Sequence, residues 1–88
     1  MSYTIEISNA AKREFRRLSR DVQGRMRAII DSLADDPRPS GVRKLTHPPD
    51  TYRIRVGQYR IIYQIDDSVE LVLIIAAGPR SSVYRHIR

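Results

Sequence analysis

The chain contains no cysteine, so neither a disulfide framework nor a thiolate metal site can form. Its two histidines, His47 and His86, are too few for a zinc site without carboxylate help. Long apolar runs are also missing. The longest, Leu71 to Ala77, is far short of the roughly 20 residues needed to span a bilayer. The opening MSYTIEIS has neither the charged nor the apolar region of a signal peptide, so the expectation is a cytoplasmic protein with no membrane partner. Low-complexity and repeated segments are absent as well, and stability has to come from packing one small core. In 88 residues that means a single domain, 1–88, burying about 60% of its unfolded surface.

Positive charge is abundant. Sixteen Lys and Arg against ten Asp and Glu give a formal net charge of +6, and all but two of the sixteen are arginine. A basic surplus predicts an anionic partner. The arginine bias favours phosphate or carboxylate, because the guanidinium fork matches their oxygens bidentately.

That charge concentrates where the hairpin signal is strongest, in YRIRVGQYRIIYQI, Tyr52 to Ile65. Tyr52, Ile54 and Val56 alternate with Arg53 and Arg55, the period of a half-buried strand, and Gly57-Gln58 can form a two-residue type II′ turn. Val56 then opposes Tyr59, Arg55 opposes Arg60, Ile54 opposes Ile61 and Arg53 opposes Ile62, so Arg53, Arg55 and Arg60 share one face. Opposed like charges destabilise a ladder. With no carboxylate inside the hairpin, the trio reads either as a solvated outer face or as a polyanion platform.

Around this hairpin the elements follow in order. Ser2 to Ile7 alternates as a short first strand. Ser8 or Asn9 can cap a helix running from Ala10 to about Ser19, with Ala11, Phe15 and Leu18 on its apolar side and Lys12, Arg13, Arg16 and Arg17 on the other. That basic side reads as ordinary solvated helix surface. Asp21 can cap a second helix with Val22, Met26, Ile29, Ile30 and Leu33 as its stripe. Pro37 to Gly41 is a loop, Val42 to Leu45 a brief strand, and THPPD a surface connection in which His47 is a bystander. Asp66-Asp67-Ser68 turns the chain into Val69 to Ala77, apolar on both faces and therefore interior to the sheet, and Gly78-Pro79 ends it. The expected fold is α+β: a small antiparallel sheet in the order β-α-α-β-β-β, with room for an extra short strand, and an N-terminal helical hairpin packed on one face. In the closing RSSVYRHIR, Arg80 and Tyr84 lie four residues apart and meet on one face of a helical turn.

Taken together, the first strand, the helical hairpin, the YRIRVGQYRIIYQI block, the apolar strand and the closing G-x-R-x-x-V-Y resemble the RelE/ParE superfamily of toxins from type II toxin-antitoxin systems, and look most like its RelE branch. The resemblance implies a ribosome-dependent endoribonuclease that cuts mRNA in the ribosomal A site without a metal or other cofactor. It implies catalytic roles for Arg60, Arg80 and Tyr84, and RNA binding by Arg53 and Arg55. Tyr84 is either the base for the 2′-OH, its phenolate favoured by neighbouring guanidinium charge, or a stacking platform for bases. His86 is the competing base. Between Arg80 and Tyr84 this chain is shorter than the best-known relative, and the tail after Tyr84 is brief. The implied partners are a cognate RelB-like antitoxin, acidic and partly disordered, the ribosome with its mRNA, and operator DNA only through the antitoxin complex. The alternative is a ParE-like toxin that inhibits DNA gyrase without enzymatic activity.

Overall fold

The computed structural model describes residues 2–79. Five strands and two helices follow in the order β1 (Thr4–Ile7), α1 (Asn9–Arg16), α2 (Arg20–Ser32), β2 (Arg43–Lys44), β3 (Thr51–Val56), β4 (Tyr59–Asp66) and β5 (Leu71–Pro79). They form one five-stranded sheet ordered β1-β5-β4-β3-β2. The brief strand read at Val42–Leu45 is β2, paired antiparallel to β3.

The β3–β4 hairpin has the register that its sequence pattern predicts, with Val56 opposite Tyr59, Arg55 opposite Arg60 and Ile54 opposite Ile61. Gly57 has φ 61°, while Asp50 and Glu70 are the non-glycine residues with positive φ among those described, so Gln58 stays negative as a type II′ turn requires. Because side chains alternate, this register turns Tyr52, Val56, Ile61, Tyr63 and Ile65 to the helices, where they pack with Ala11, Val22, Met26, Ile30 and Leu33. On the opposite face Ile62 and Ala76 make a smaller cluster flanked by Leu45 and Ile75. The apolar strand β5 is interior, with β1 on one side and β4 on the other. Opposite β4, Ile62 pairs with Ala76 and Tyr63 with Ile74, so Ile75 is an extra residue that bulges β5.

Three local readings differ from the structure. The first strand pairs parallel, not antiparallel, with β5: β3, β4 and β5 form a meander, and β1 takes the free edge of β5 in a long-range pairing that no turn encodes. Helix α2 is capped by Ser19, whose Oγ accepts from Val22 N at 3.3 Å, and Asp21 sits inside the first turn. There its carboxylate complements the helix dipole without capping. Gly78 and Pro79 belong to β5, where Gly78 still pairs with Arg60.

Ser8 caps α1, its Oγ accepting from Ala11 N at 3.1 Å. Gln23 of α2 donates to the Leu18 carbonyl at 2.9 Å, satisfying one of the carbonyls left open beyond α1. Arg27 of α2 lies 5.6 Å from the Phe15 ring centroid, joining the two helices.

At the far end a polar clamp closes the molecule. The Arg38 guanidinium donates to both Asp67 carboxylate oxygens, at 3.2 and 2.9 Å, and through Nε to the Tyr52 hydroxyl at 3.2 Å. Tyr3 donates to Asp67 at 2.7 Å. Tyr52 stacks on Tyr63 with centroids 5.9 Å apart, and the Tyr63 hydroxyl donates to the Pro37 carbonyl at 2.8 Å. The loop after α2, the β4–β5 turn and the start of β1 are thereby tied together. Burial first, and then the neighbouring Tyr52, push Tyr63 well above its usual value. Hydrogen bonds from Arg38 and then Tyr3 hold the Asp67 carboxyl below its usual value.

A carboxylate lowered on folding stabilises the native state above its unfolded pKa and loses that contribution as pH falls through the folded value. Asp67→Asn is therefore expected to flatten the acid limb of a stability-against-pH profile below about pH 4, measured by urea denaturation.

Candidate nucleic-acid interface

On the sheet face turned away from the helices, pairing aligns the basic residues in rows. Arg55, Arg60 and Gly78 form the row next to the hairpin turn. Arg43, Arg53, Ile62 and Ala76 form the next. The structure thus brings Arg53, Arg55 and Arg60 together, as the register requires. It adds Arg43, which sequence reasoning missed: Val42–Leu45 reads as a strand, but only its pairing shows that Arg43 stands opposite Arg53.

The three are not equally exposed. Arg55 is exposed and Arg53 half-buried, whereas Arg60 is only 6% exposed. Its Nε is buried without a hydrogen-bond partner, and no carboxylate pairs with it among the described residues. A guanidinium withdrawn from water without an anion is costly, so this position does not fit a solvated outer face. Gly78 beside it carries no side chain to cover the row. A phosphate seated there would meet donors from Arg60 and Arg55 together, in a site where partial burial strengthens the attraction.

Arg80, Tyr84 and His86 lie outside the described residues. Pro79, the last described residue, pairs with Tyr59 next to the Arg55–Arg60 row, so the chain leaves β5 at this end of the sheet.

Charge is sorted along the strand direction. Asp35, Asp36, Asp50, Asp67 and Glu70 occupy the loops and turns at the end opposite the Gly57-Gln58 turn, and Asp66 ends β4 there. A cleft of about 520 Å³ at that end is lined by Asp50, Asp66 and Asp67 with Gln64, Leu71 and Leu73, and its carboxylates repel phosphate. The hairpin end carries the arginine rows, with Arg25 of α2 reaching toward Gly57. Among the described residues no three His, Cys, Asp or Glu side chains are grouped to hold a metal ion, and no helix is long and apolar enough to cross a membrane.

Residues 5–84 match the family described as ParE toxin of type II toxin-antitoxin system, parDE. The chain belongs to the RelE/ParE superfamily. Among its relatives is the mRNA interferase toxin RelE of Escherichia coli K12, 31% identical over 88 residues that cover 96% of this chain and 92% of that protein. Among solved structures, a mutant E. coli RelE in the free state is similar with a TM-score of 0.83 and 28% identity, covering 99% of this chain and 95% of that one. RelE in the archaeal RelE–RelB complex of Pyrococcus horikoshii gives a TM-score of 0.81 at 28% identity, covering 93% and 99%. The chain shares with these RelE structures an α+β fold of two helices and a five-stranded sheet.

Since Arg60 carries a burial cost that a ligand would offset, Arg60→Met is expected to raise stability by about 1 kcal/mol or more while lowering affinity for RNA. Urea denaturation and RNA binding measured on the same preparation check both.

Proposed function

We propose that this RelE-like toxin is a ribosome-dependent endoribonuclease that cuts mRNA in the ribosomal A site. The observation that carries the reading is the row of Arg55 and the buried Arg60 on the face opposite the helices, with Arg53 and Arg43 in the row beside it. The mRNA interferase RelE of E. coli, a relative over nearly the whole chain, supports it.

Cleavage by internal attack requires three things: the 2′-OH loses its proton and forms a bond to phosphorus, the phosphorane-like charge is held, and the P–O5′ bond breaks as the departing 5′-oxygen takes a proton from solvent water. Arg60 and Arg80 hold the developing charge. Arg53 and Arg55 bind the backbone and orient it. Tyr84 serves as the base or as the platform that splays the bases into line. The positive charge on phosphate comes from guanidinium groups, so this reading needs no metal.

Among the described residues the arginine rows carry no strong base. Alignment of the 2′-OH with the scissile bond therefore falls to the ribosome, an effect that reaches several kcal/mol, up to roughly 7–11, in well-oriented systems. The partner in the cell is a cognate RelB-like antitoxin, as the RelE–RelB complex suggests. An acidic antitoxin neutralises the arginine face, and operator DNA is reached through the complex. Gyrase inhibition finds support in the ParE name of the matched family, but the arginine rows and the RelE relatives favour the nuclease.

Primer extension on mRNA in a purified translation reaction tests this reading. Cuts within codons are expected with ribosomes and not without them, reduced at least about 100-fold by Arg80→Ala or Tyr84→Ala. A folded wild type that arrests growth but leaves mRNA intact would point to gyrase.

A further inference from the structure

The row of Arg55, Arg60 and Gly78 carries more positive charge than one phosphodiester can neutralise. A two-residue loop makes Val56 and Tyr59 the hydrogen-bonded pair, so Arg55 and Arg60 form the next, non-hydrogen-bonded pair, with Cα atoms about 4.5 Å apart. Two guanidinium groups are therefore held beside one spot. One of them is withdrawn from water, since Arg60 is 6% exposed and its Nε has no hydrogen-bond partner. On the other side of Arg60, Gly78 leaves the row open, with no side chain to cap it.

On this face the surroundings of the row are neutral or basic. β3 and β2 add Arg53 and Arg43 in the next row, and Leu71–Pro79 of β5 contains no charged residue. The acidic residue of β4, Asp66, lies six residues from Arg60, roughly 20 Å along the strand. Across the sheet, on the helix side, Arg25 is paired with Asp21, and Glu14 of α1 is tied to Ala77 N. A phosphodiester brings one negative charge to the spot. A phosphate monoester brings about 1.5 to 2 at neutral pH, with a third terminal oxygen to accept from the two forks. The phosphorane formed when a 2′-oxygen attacks a diester is doubly charged as well.

We propose that this row is a dianion seat that binds phosphate monoesters, on an RNA end or on a free nucleotide, in preference to the phosphodiester of an intact strand. The charge of the seat follows from the pairing and burial. Its bearing on cleavage rests on the nuclease reading: a bound monoester takes the place of the doubly charged reacting centre and competes with the message.

The test is calorimetric titration of the full chain with adenosine 3′-monophosphate and with adenosine 2′,3′-cyclic monophosphate, which share base and sugar and differ in charge. At about pH 7.5 the monoester is expected to bind about tenfold more tightly or better. The second phosphate pKa is about 6, so at about pH 5 most of the monoester has lost its second charge and the preference should shrink to about twofold. Arginine stays charged throughout, and sulfate, a dianion at both pH values, should bind equally at both. Arg55→Ala, at an exposed position, should remove the preference, and Arg60→Met should remove binding. Equal affinities at the higher pH, a preference that persists at the lower, or one that survives both substitutions overturns the proposal.

A 2′-O-methyl oligonucleotide ending in a 3′-phosphate separates the two sources: tighter binding than the mononucleotide identifies an RNA end as the ligand, and equal binding a free nucleotide. The monophosphate is finally added to the ribosomal cleavage reaction, where it should slow cutting and the cyclic form should not. Cutting that a saturating monophosphate leaves unchanged overturns the proposal. If the preference is present in a wild type that never cuts mRNA, the seat stands and the nuclease reading falls. If wild type cuts and shows no preference, the reverse holds.

Discussion

The pairing of β3 with β4 across the Gly57-Gln58 turn is the constraint on which the rest depends. A two-residue turn allows one register, and one register settles which side chains go to which face. Ile54, Val56, Ile61 and Tyr63 are sent to the helices, and Arg53, Arg55 and Arg60 to the opposite side, with no freedom to move one set without the other. The same atoms that define the core therefore define the charged face. A slip by one residue would bury the arginines under α1 and α2 and expose the isoleucines.

The two ends of the molecule divide the work. At the end opposite the turn, Arg38, Asp67, Tyr3 and Tyr52 spend their hydrogen-bonding capacity on one another, and several carboxylates sit in the neighbouring loops. At the turn end, guanidinium groups occupy both sides of the sheet, Arg55 and Arg60 on one and Arg25 of α2 on the other. That asymmetry fits the proposed docking of one end into a polyanion while the other end holds the fold together. In this view the cost of gathering arginines is offset in two ways: by RNA during action, and by an acidic antitoxin at rest.

Much of this is legible in the residues themselves. Alternation in Tyr52–Val56 and the Gly57-Gln58 pair encode the hairpin and its register, and the continuous apolar run of β5 encodes its interior place. Long-range facts are not encoded locally. The parallel pairing of β1 with β5 depends on which edge remains open after the meander has formed, and Arg43 acquires its neighbour only through tertiary pairing. Ser19 outcompeted Asp21 as a cap because α2 begins two residues earlier than its apolar stripe suggests. The burial of Arg60 is likewise invisible in sequence, since Arg55 has the same neighbours by pattern and is exposed. The candidate residues Arg80 and Tyr84 are carried by resemblance alone.

Arg60 is proposed as a buried guanidinium that receives a phosphate. Its Nε–H resonance in a ¹⁵N-edited NMR spectrum, followed while an uncleavable 2′-O-methyl RNA oligonucleotide is added, tests this most directly. The Arg60 signal is expected to shift with the added RNA and to become protected from solvent exchange, together with that of Arg55. An Arg60 signal that stays unchanged while exposed arginines elsewhere respond would contradict it.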